Sequence, residues 1–256
     1  MKLWIVVPFR DGPDLLDDCL ASIAEQDDPD FGVVVADDAS TDPAVAEVVA
    51  RWCARPGWFS VVQRENLGAL GNIRAAVRFL QVTQDFPVDD VCLLVDGDDR
   101  LAHPGVVSRL RKAYDGPVDF AFGSYVATPA DDGCPPARAL PADVLRYGLV
   151  RAFTRDVGAW VNHPLSFRRR LFDVLRDDDF TLGDGTPIRH CYDTALAMPM
   201  IEAAGERVAY VDEVLYLYSA GLDDAVHVVH KESADAENEW LLSRPKKYAP
   251  MEEPCV

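Results

Sequence analysis

A chain of 256 residues with 49% hydrophobic content is long enough to bury a full core, as one large α/β domain or two fused lobes. Its formal net charge of -18 excludes nucleic acid as a partner, because phosphate backbones demand clustered Lys and Arg. There is no apolar run of about 18 residues, MKLWIVVPF meets Arg10 and Asp11 too soon for a secretion signal, and six scattered cysteines without a Cys-x-x-Cys pair suit reduced thiols. A cytoplasmic protein with no transmembrane segment is expected.

In chain order, Leu3 to Val7 reads as a buried strand. Pro13 then opens a helix on which Leu15, Leu16, Cys19, Leu20 and Ile23 recur at helical spacing. Val33 to Ala36 is a second strand, ending in Asp37, Asp38, Ala39, Ser40, Thr41 and Asp42. Residues 43–54 are a helix with Pro43 at its start and Asp42 as N-cap. Ser60 to Gln63 is a third strand, 68–81 a helix, and Val91 to Val95 a fourth strand. Strand alternating with helix predicts a Rossmann-like, mostly parallel sheet flanked by helices. Beyond it, 104–114 is predicted helical, Val118 to Phe122 a strand, and the proline-rich 127–142 a loop able to cover a site. A helix over 193–204 precedes two short strands, Val208 to Val211 and Val214 to Tyr218. The polar residues 231–256 read as a loosely attached tail.

The chemistry concentrates where VCLLVDGDD stops on Asp96, Gly97, Asp98 and Asp99. A solid apolar run reads as a strand buried on both faces, and open α/β sheets bind ligands at the carboxyl ends of such strands. Carboxylates there suit Mg²⁺ or Mn²⁺, ions that bridge one or two acids to substrate phosphates. In so acidic a chain, a local cation would also reverse the sign of the field that a diphosphate meets. Asp and Gly cluster in plain turns too. Asp37 and Asp38 after strand two, however, join the Asp96–Asp99 group on one sheet edge if the crossovers are right-handed. Asp193 opens a helix as a third acid, in a position that equally suits an N-cap.

Five segments together resemble the inverting GT-A glycosyltransferases of family 2: IVVPFRDGPDLLDDCLASIAEQ, VVVADDASTD, RENLGALGNIRAAV, LLVDGDD with its D-x-D element, and YDTALAMPMIEAAGERVAYVDEVLYLY. The segment NHPLSFRRRLFDVL is similar to the acceptor side of many members, and the likeness spans roughly residues 3–220. The resemblance implies an α/β GT-A fold: a nucleotide-sugar-binding half (1–105), an acceptor-binding half (106–230) integrated in the same domain, and the tail.

The resemblance also implies a donor, most naturally a UDP-sugar, and a hydroxyl acceptor on a glycan, lipid or small molecule. Asp38 would accept from the base, with Asp37, Pro8 and Arg10 lining that pocket and Arg74 reaching base or diphosphate. Asp96 and Gly97 would face the ribose, and Asp98 with Asp96 would hold Mn²⁺ or Mg²⁺. Asp193 would be the general base. His163 would line the acceptor pocket, and His227, with His230 beyond it, would approach diphosphate or metal. Arg168–Arg170 would form a solvated helix start or meet an anionic acceptor.

Three departures stand out: PFRD follows the first strand where an aromatic-Asn pair is common, Ala39 replaces a Gly, and Tyr192 replaces a Glu. Two other functions remain in view, a nucleotidyltransferase of sugar activation and a non-catalytic nucleotide- or glycan-binding module; oligomeric state is left open.

Overall fold

Residue alternation builds the first half. In the computed structural model, which describes residues 1–128, 137–158, 161–219 and 230–252, β1 (Leu3–Phe9) is buried along its whole length. Leu3, Ile5 and Val7 enter one core and Trp4 and Val6 the other, which is why the strand is apolar without a polar face. β2 (Phe31–Asp37), β3 (Trp58–Val62) and β4 (Val91–Leu94) run parallel to it, in the spatial order β3-β2-β1-β4. The helices between them, α1 (Pro13–Ala24), α2 (Ala44–Cys53) and α3 (Gly68–Thr83), cover the two faces. Asp42 closes an Asx turn onto the Ala44 N–H at 2.9 Å, but Pro43, not Asp42, is the residue at the N-cap of α2. The ends of β1, β2 and β4 therefore open on one edge.

The second half extends the sheet as β4-β7-β6-β8-β5, with β7 antiparallel to both neighbours. It comprises β5 (Arg100–Leu101), α4 (Val106–Ala113), β6 (Phe120–Thr128), α5 (Ala142–Tyr147), α6 (Val150–Val157), β7 (Asn162–Arg168), α7 (Arg169–Asp173), α8 (Tyr192–Ala204) and β8 (Val208–Ser219). β7 carries no clear strand signal in the sequence, since proline cannot donate to a ladder. Its register jumps from Leu165↔Phe122 to Asn162↔Gly123, so His163 and Pro164 fall in a bulge. The two strands expected over 208–218 are one, β8; the acidic pair Asp212 and Glu213 lies at a register shift against β6 rather than at a turn.

Two expectations are corrected. The basic run Arg168–Arg170 is neither solvated nor open to an acceptor: Arg168, Arg170 and Arg207 converge on Asp119, which is fully buried, and Arg207 Nε donates to it at 2.6 Å. The described part of the tail is not loose. Its residues form α9 (Lys231–Ser243), whose Glu237 carboxylate accepts the backbone N–H groups of Arg189, His190 and Cys191 at 3.0, 2.7 and 3.1 Å. Leu241 and Leu242 complete the core beside α8. Glu237→Ala strands three N–H donors at the start of α8, and is expected to cost about 2–4 kcal/mol in urea unfolding and to free α9 for proteolysis. Wild-type stability and protease resistance in that variant would contradict the docking.

Candidate functional site

At the end of β1, Pro8 is buried and Arg10 is half exposed, 3.8 Å from the Asp11 carboxylate. Asp11, which the sequence reading passed over, laces this loop to the next: it accepts the N–H groups of Thr41 and Asp42 at 2.6 and 2.9 Å, and its own N–H donates to Ser40 Oγ. The Asp42 amide above all holds its carboxyl below the usual range. Ala39 lies within the same loop at φ +59°, a left-handed conformation that a glycine adopts without strain.

After β2, Asp37 Oδ1 accepts the Ser40 N–H at 2.8 Å. Asp38 is buried, and its two oxygens accept the N–H groups of Leu67 and Gly68 at 2.7 and 2.8 Å, pinning the start of α3. Arg74 is turned elsewhere, ion-paired with Asp177 and lying 4.5 Å over the Phe180 ring.

The end of β4 is the most highly charged point of the edge. Gly97 N–H donates to Pro8 O at 3.0 Å, and a Cβ at Gly97 would meet Phe9 Cβ at 2.4 Å; close backbone approach to β1 requires the glycine. Asp98 is exposed, while Asp99 is buried and accepts the Ser219 N–H at 2.7 Å. Two tyrosines organise Asp96. Tyr192 Oη donates to its carboxylate at 2.6 Å, and Tyr216 Oη accepts the Asp96 N–H at 3.0 Å while bonding Asp99. The β7 bulge brings His163 onto this pair: its ring stacks on Tyr216 at 5.1 Å and tilts toward Tyr192 at 6.2 Å. His163 Nδ1 is buried without a hydrogen-bond partner among the described residues. His230 stacks instead on His190 at 5.0 Å, and His227 lies outside the described residues.

Asp193 follows Tyr192 in the first turn of α8 and accepts the Thr194 N–H at 2.7 Å. Its charge reaches Asp96 and helps raise that carboxyl. It also lines a cavity of about 230 Å³ between α6, β7, α8 and α9, together with Thr154, Arg155, Leu165, Asn238 and Glu239. The sequence reading missed Tyr216, Thr154 and the α9 residues; only the residues beside Asp193 gave a signal, through the substitution at Tyr192.

Burial, then Asp98, pushes Asp96 up to about 7, and burial, then Asp96 and Asp98, pushes Asp99 up to about 8. The folded protein thus holds protons that the unfolded chain gives up near its ordinary carboxylate value of 3.8. Stability from these groups is full below that value and declines as pH rises toward about 7 to 8. Metal-free protein is expected to melt lower at pH 8 than at pH 5.5, with Mn²⁺ restoring stability chiefly at pH 8; an equal Mn²⁺ effect at both pH values would contradict this. Hard oxygens that repel one another fit a divalent cation, and with Asp98 exposed, one or two carboxylates would be left to share it with a phosphorylated ligand. Among the described residues, no three His, Cys, Asp or Glu side chains form a closed metal cage.

Comparison with solved structures returns the same architecture. S. aureus TarS 1-349 matches with a TM-score of 0.62 at 18% identity, over 86% of this chain and 60% of that one. The mannosyltransferase PcManGT from Pyrobaculum calidifontis, in complex with GDP-Man and Mn²⁺, gives 0.57 at 20% identity, over 88% and 58%. Glucosyl-3-phosphoglycerate synthase from Mycobacterium tuberculosis, with Mn²⁺, UDP and glucosyl-3-phosphoglycerate, gives 0.60 at 14%, over 95% and 81%. The chain therefore spans about three-fifths of the length of the TarS structure. No curated protein matches it in sequence. At these identities the likeness establishes the GT-A fold, a mixed sheet flanked by helices. The sequence profile described as glycosyl transferase family 2 matches residues 4–174, well over half the chain, and by that match the protein belongs to glycosyl transferase family 2.

Proposed function

We propose that the protein is an inverting, divalent-metal-dependent glycosyltransferase that moves a sugar from a nucleotide donor, UDP-linked, onto a hydroxyl of a glycan, lipid or small molecule. One observation carries the reading: Tyr192 ties Asp96, at the end of β4, to the first turn of the helix that presents Asp193 to a cavity. Similar folds have been crystallised with UDP-GlcNAc, with GDP-Man and Mn²⁺, and with UDP and Mn²⁺, which supports a nucleotide-sugar donor here.

In this account Pro8, Arg10, Asp37 and Asp38 border the base, and Arg74 joins them only by giving up Asp177. Asp96, Gly97 and His163 border the ribose and diphosphate, and His227 is kept as a diphosphate contact. Asp98 and Asp96 would hold Mn²⁺ or Mg²⁺, which when bound neutralises charge on the departing nucleoside diphosphate. Asp193 takes the proton of the acceptor hydroxyl as that oxygen attacks the anomeric carbon; the bond to the diphosphate breaks on the opposite face, inverting the centre. Tyr192 and Tyr216 fix Asp96 and Asp99 so that little reorganisation is needed. The buried free thiols Cys19, Cys92 and Cys191 support a reducing, cytoplasmic setting, and among the described residues no helix is long and apolar enough to cross a membrane.

Assaying release of nucleoside diphosphate from a panel of UDP-, GDP- and dTDP-sugars with Mn²⁺ tests the reading. Preferential turnover of a UDP-sugar is expected, and no turnover or binding of any donor would overturn it.

A further inference from the structure

A second cavity, of about 220 Å³, adjoins the one that Asp193 lines, and the two share Arg155 and Leu242. Its wall is formed by the start of α6 and by the chain leaving α9. In a chain of net charge -18, that wall carries four cationic side chains, Arg151, Arg155, Arg244 and Lys246, against one carboxylate, Glu202. Glu202 is fully engaged: it pairs with Arg151 at 2.6 Å and accepts the Lys247 N–H at 3.0 Å. Arg244 is held 3.6 Å from Asp178 and 4.7 Å over Trp240. Among the described residues, Arg155 pairs only with its sequence neighbour Asp156, at 3.8 Å. Lys246 has no carboxylate within ion-pair distance among the described residues, and its ammonium lies across Gly148, where a Cβ would be 2.2 Å away. In the neighbouring cavity Thr154 is 9% exposed, and its hydroxyl has no hydrogen-bond partner among the described residues. Each cavity alone is smaller than the usual ligand cleft of about 300–1,000 Å³, while their combined volume falls within that range, with Arg155 on the wall of both.

We propose that the acceptor is anionic, a polyol bearing a phosphate or carboxylate, whose charged group enters the basic cavity at Arg155, Arg244 and Lys246 while its hydroxyl enters the adjoining cavity toward Thr154 and Asp193. The inference rests on the glycosyl-transfer reading for its acceptor role. Lys246 and Arg155 bind the anion by charge-assisted hydrogen bonds, and the shared Arg155 sets the spacing between anion and reacting hydroxyl.

The test is calorimetry of the whole chain in EDTA with glycerol 1-phosphate, glycerate and glycerol, with UDP and Mn²⁺ titrated separately. At least one anion is expected to bind tenfold or more tightly than glycerol, and which of the two prevails names the charged group. Arg155→Glu combined with Lys246→Glu abolishes that preference, Lys246→Arg keeps it, and all variants hold UDP with Mn²⁺ and melt as the wild type does. Equal binding of the three probes, or an anion preference that survives the double substitution, overturns the anionic acceptor while UDP binding stands. Absence of UDP binding in the wild type instead removes the transfer reading and with it the acceptor role.

Discussion

Asp193→Asn is expected to lower turnover about a hundred- to ten-thousandfold while leaving the affinity for UDP with Mn²⁺ unchanged within twofold, as for a general base used only in the transition state. The substitution separates two roles that share one residue. Asp193 accepts the Thr194 N–H at 2.7 Å, as a residue ordering a helix start does, and an asparagine oxygen accepts that bond about as well. Fold and melting temperature therefore stay, while the group that takes the acceptor's proton is gone. A fully active Asp193→Asn enzyme would leave the residue with the helix-start role alone.

Asp98→Ala is expected to abolish the Mn²⁺ dependence of UDP binding, with a loss of at least a hundredfold in affinity at saturating metal and no loss of stability. Asp98 is exposed at the end of β4, and substitutions of exposed side chains usually change stability by less than about 0.5 kcal/mol. In metal-free protein the same change takes one negative charge from beside Asp96 and Asp99, both raised in part by Asp98, so their carboxyls fall toward ordinary values. The apo variant should consequently lose less stability between pH 5.5 and pH 8 than the wild type. UDP binding that still responds to Mn²⁺ in this variant would move the metal away from β4.

The parallel half of the sheet was legible because its strands are buried on both faces and so are apolar without interruption. Trp4 and Val6 fill one core, Leu3, Ile5 and Val7 the other, and turn residues close each run. β7 was not, since Pro164 and His163 break the strand pattern; only its partner β6 shows that the break is a bulge. The same holds for β8, whose Asp212 and Glu213 mimic a turn, and for α9, anchored by Glu237, a charged residue that pattern assigns to solvent. The acids of the site were legible from their place after apolar runs. Their partners were not, because Tyr192, Tyr216 and His163 come from three distant segments and meet only through the sheet order. Arg74, expected to reach base or diphosphate, is ion-paired with Asp177, 103 residues along the chain, a partner that no local pattern announces.

We expect the acids after β4 to hold a divalent cation against the donor's diphosphate. Crystals grown with Mn²⁺ and UDP, with data collected at the manganese absorption edge, test it most directly. One anomalous peak is expected within about 2.0–2.4 Å of carboxylate oxygens of Asp98 or Asp96 and of diphosphate oxygens. A peak elsewhere, or UDP bound with these carboxylates facing bulk water, would contradict it.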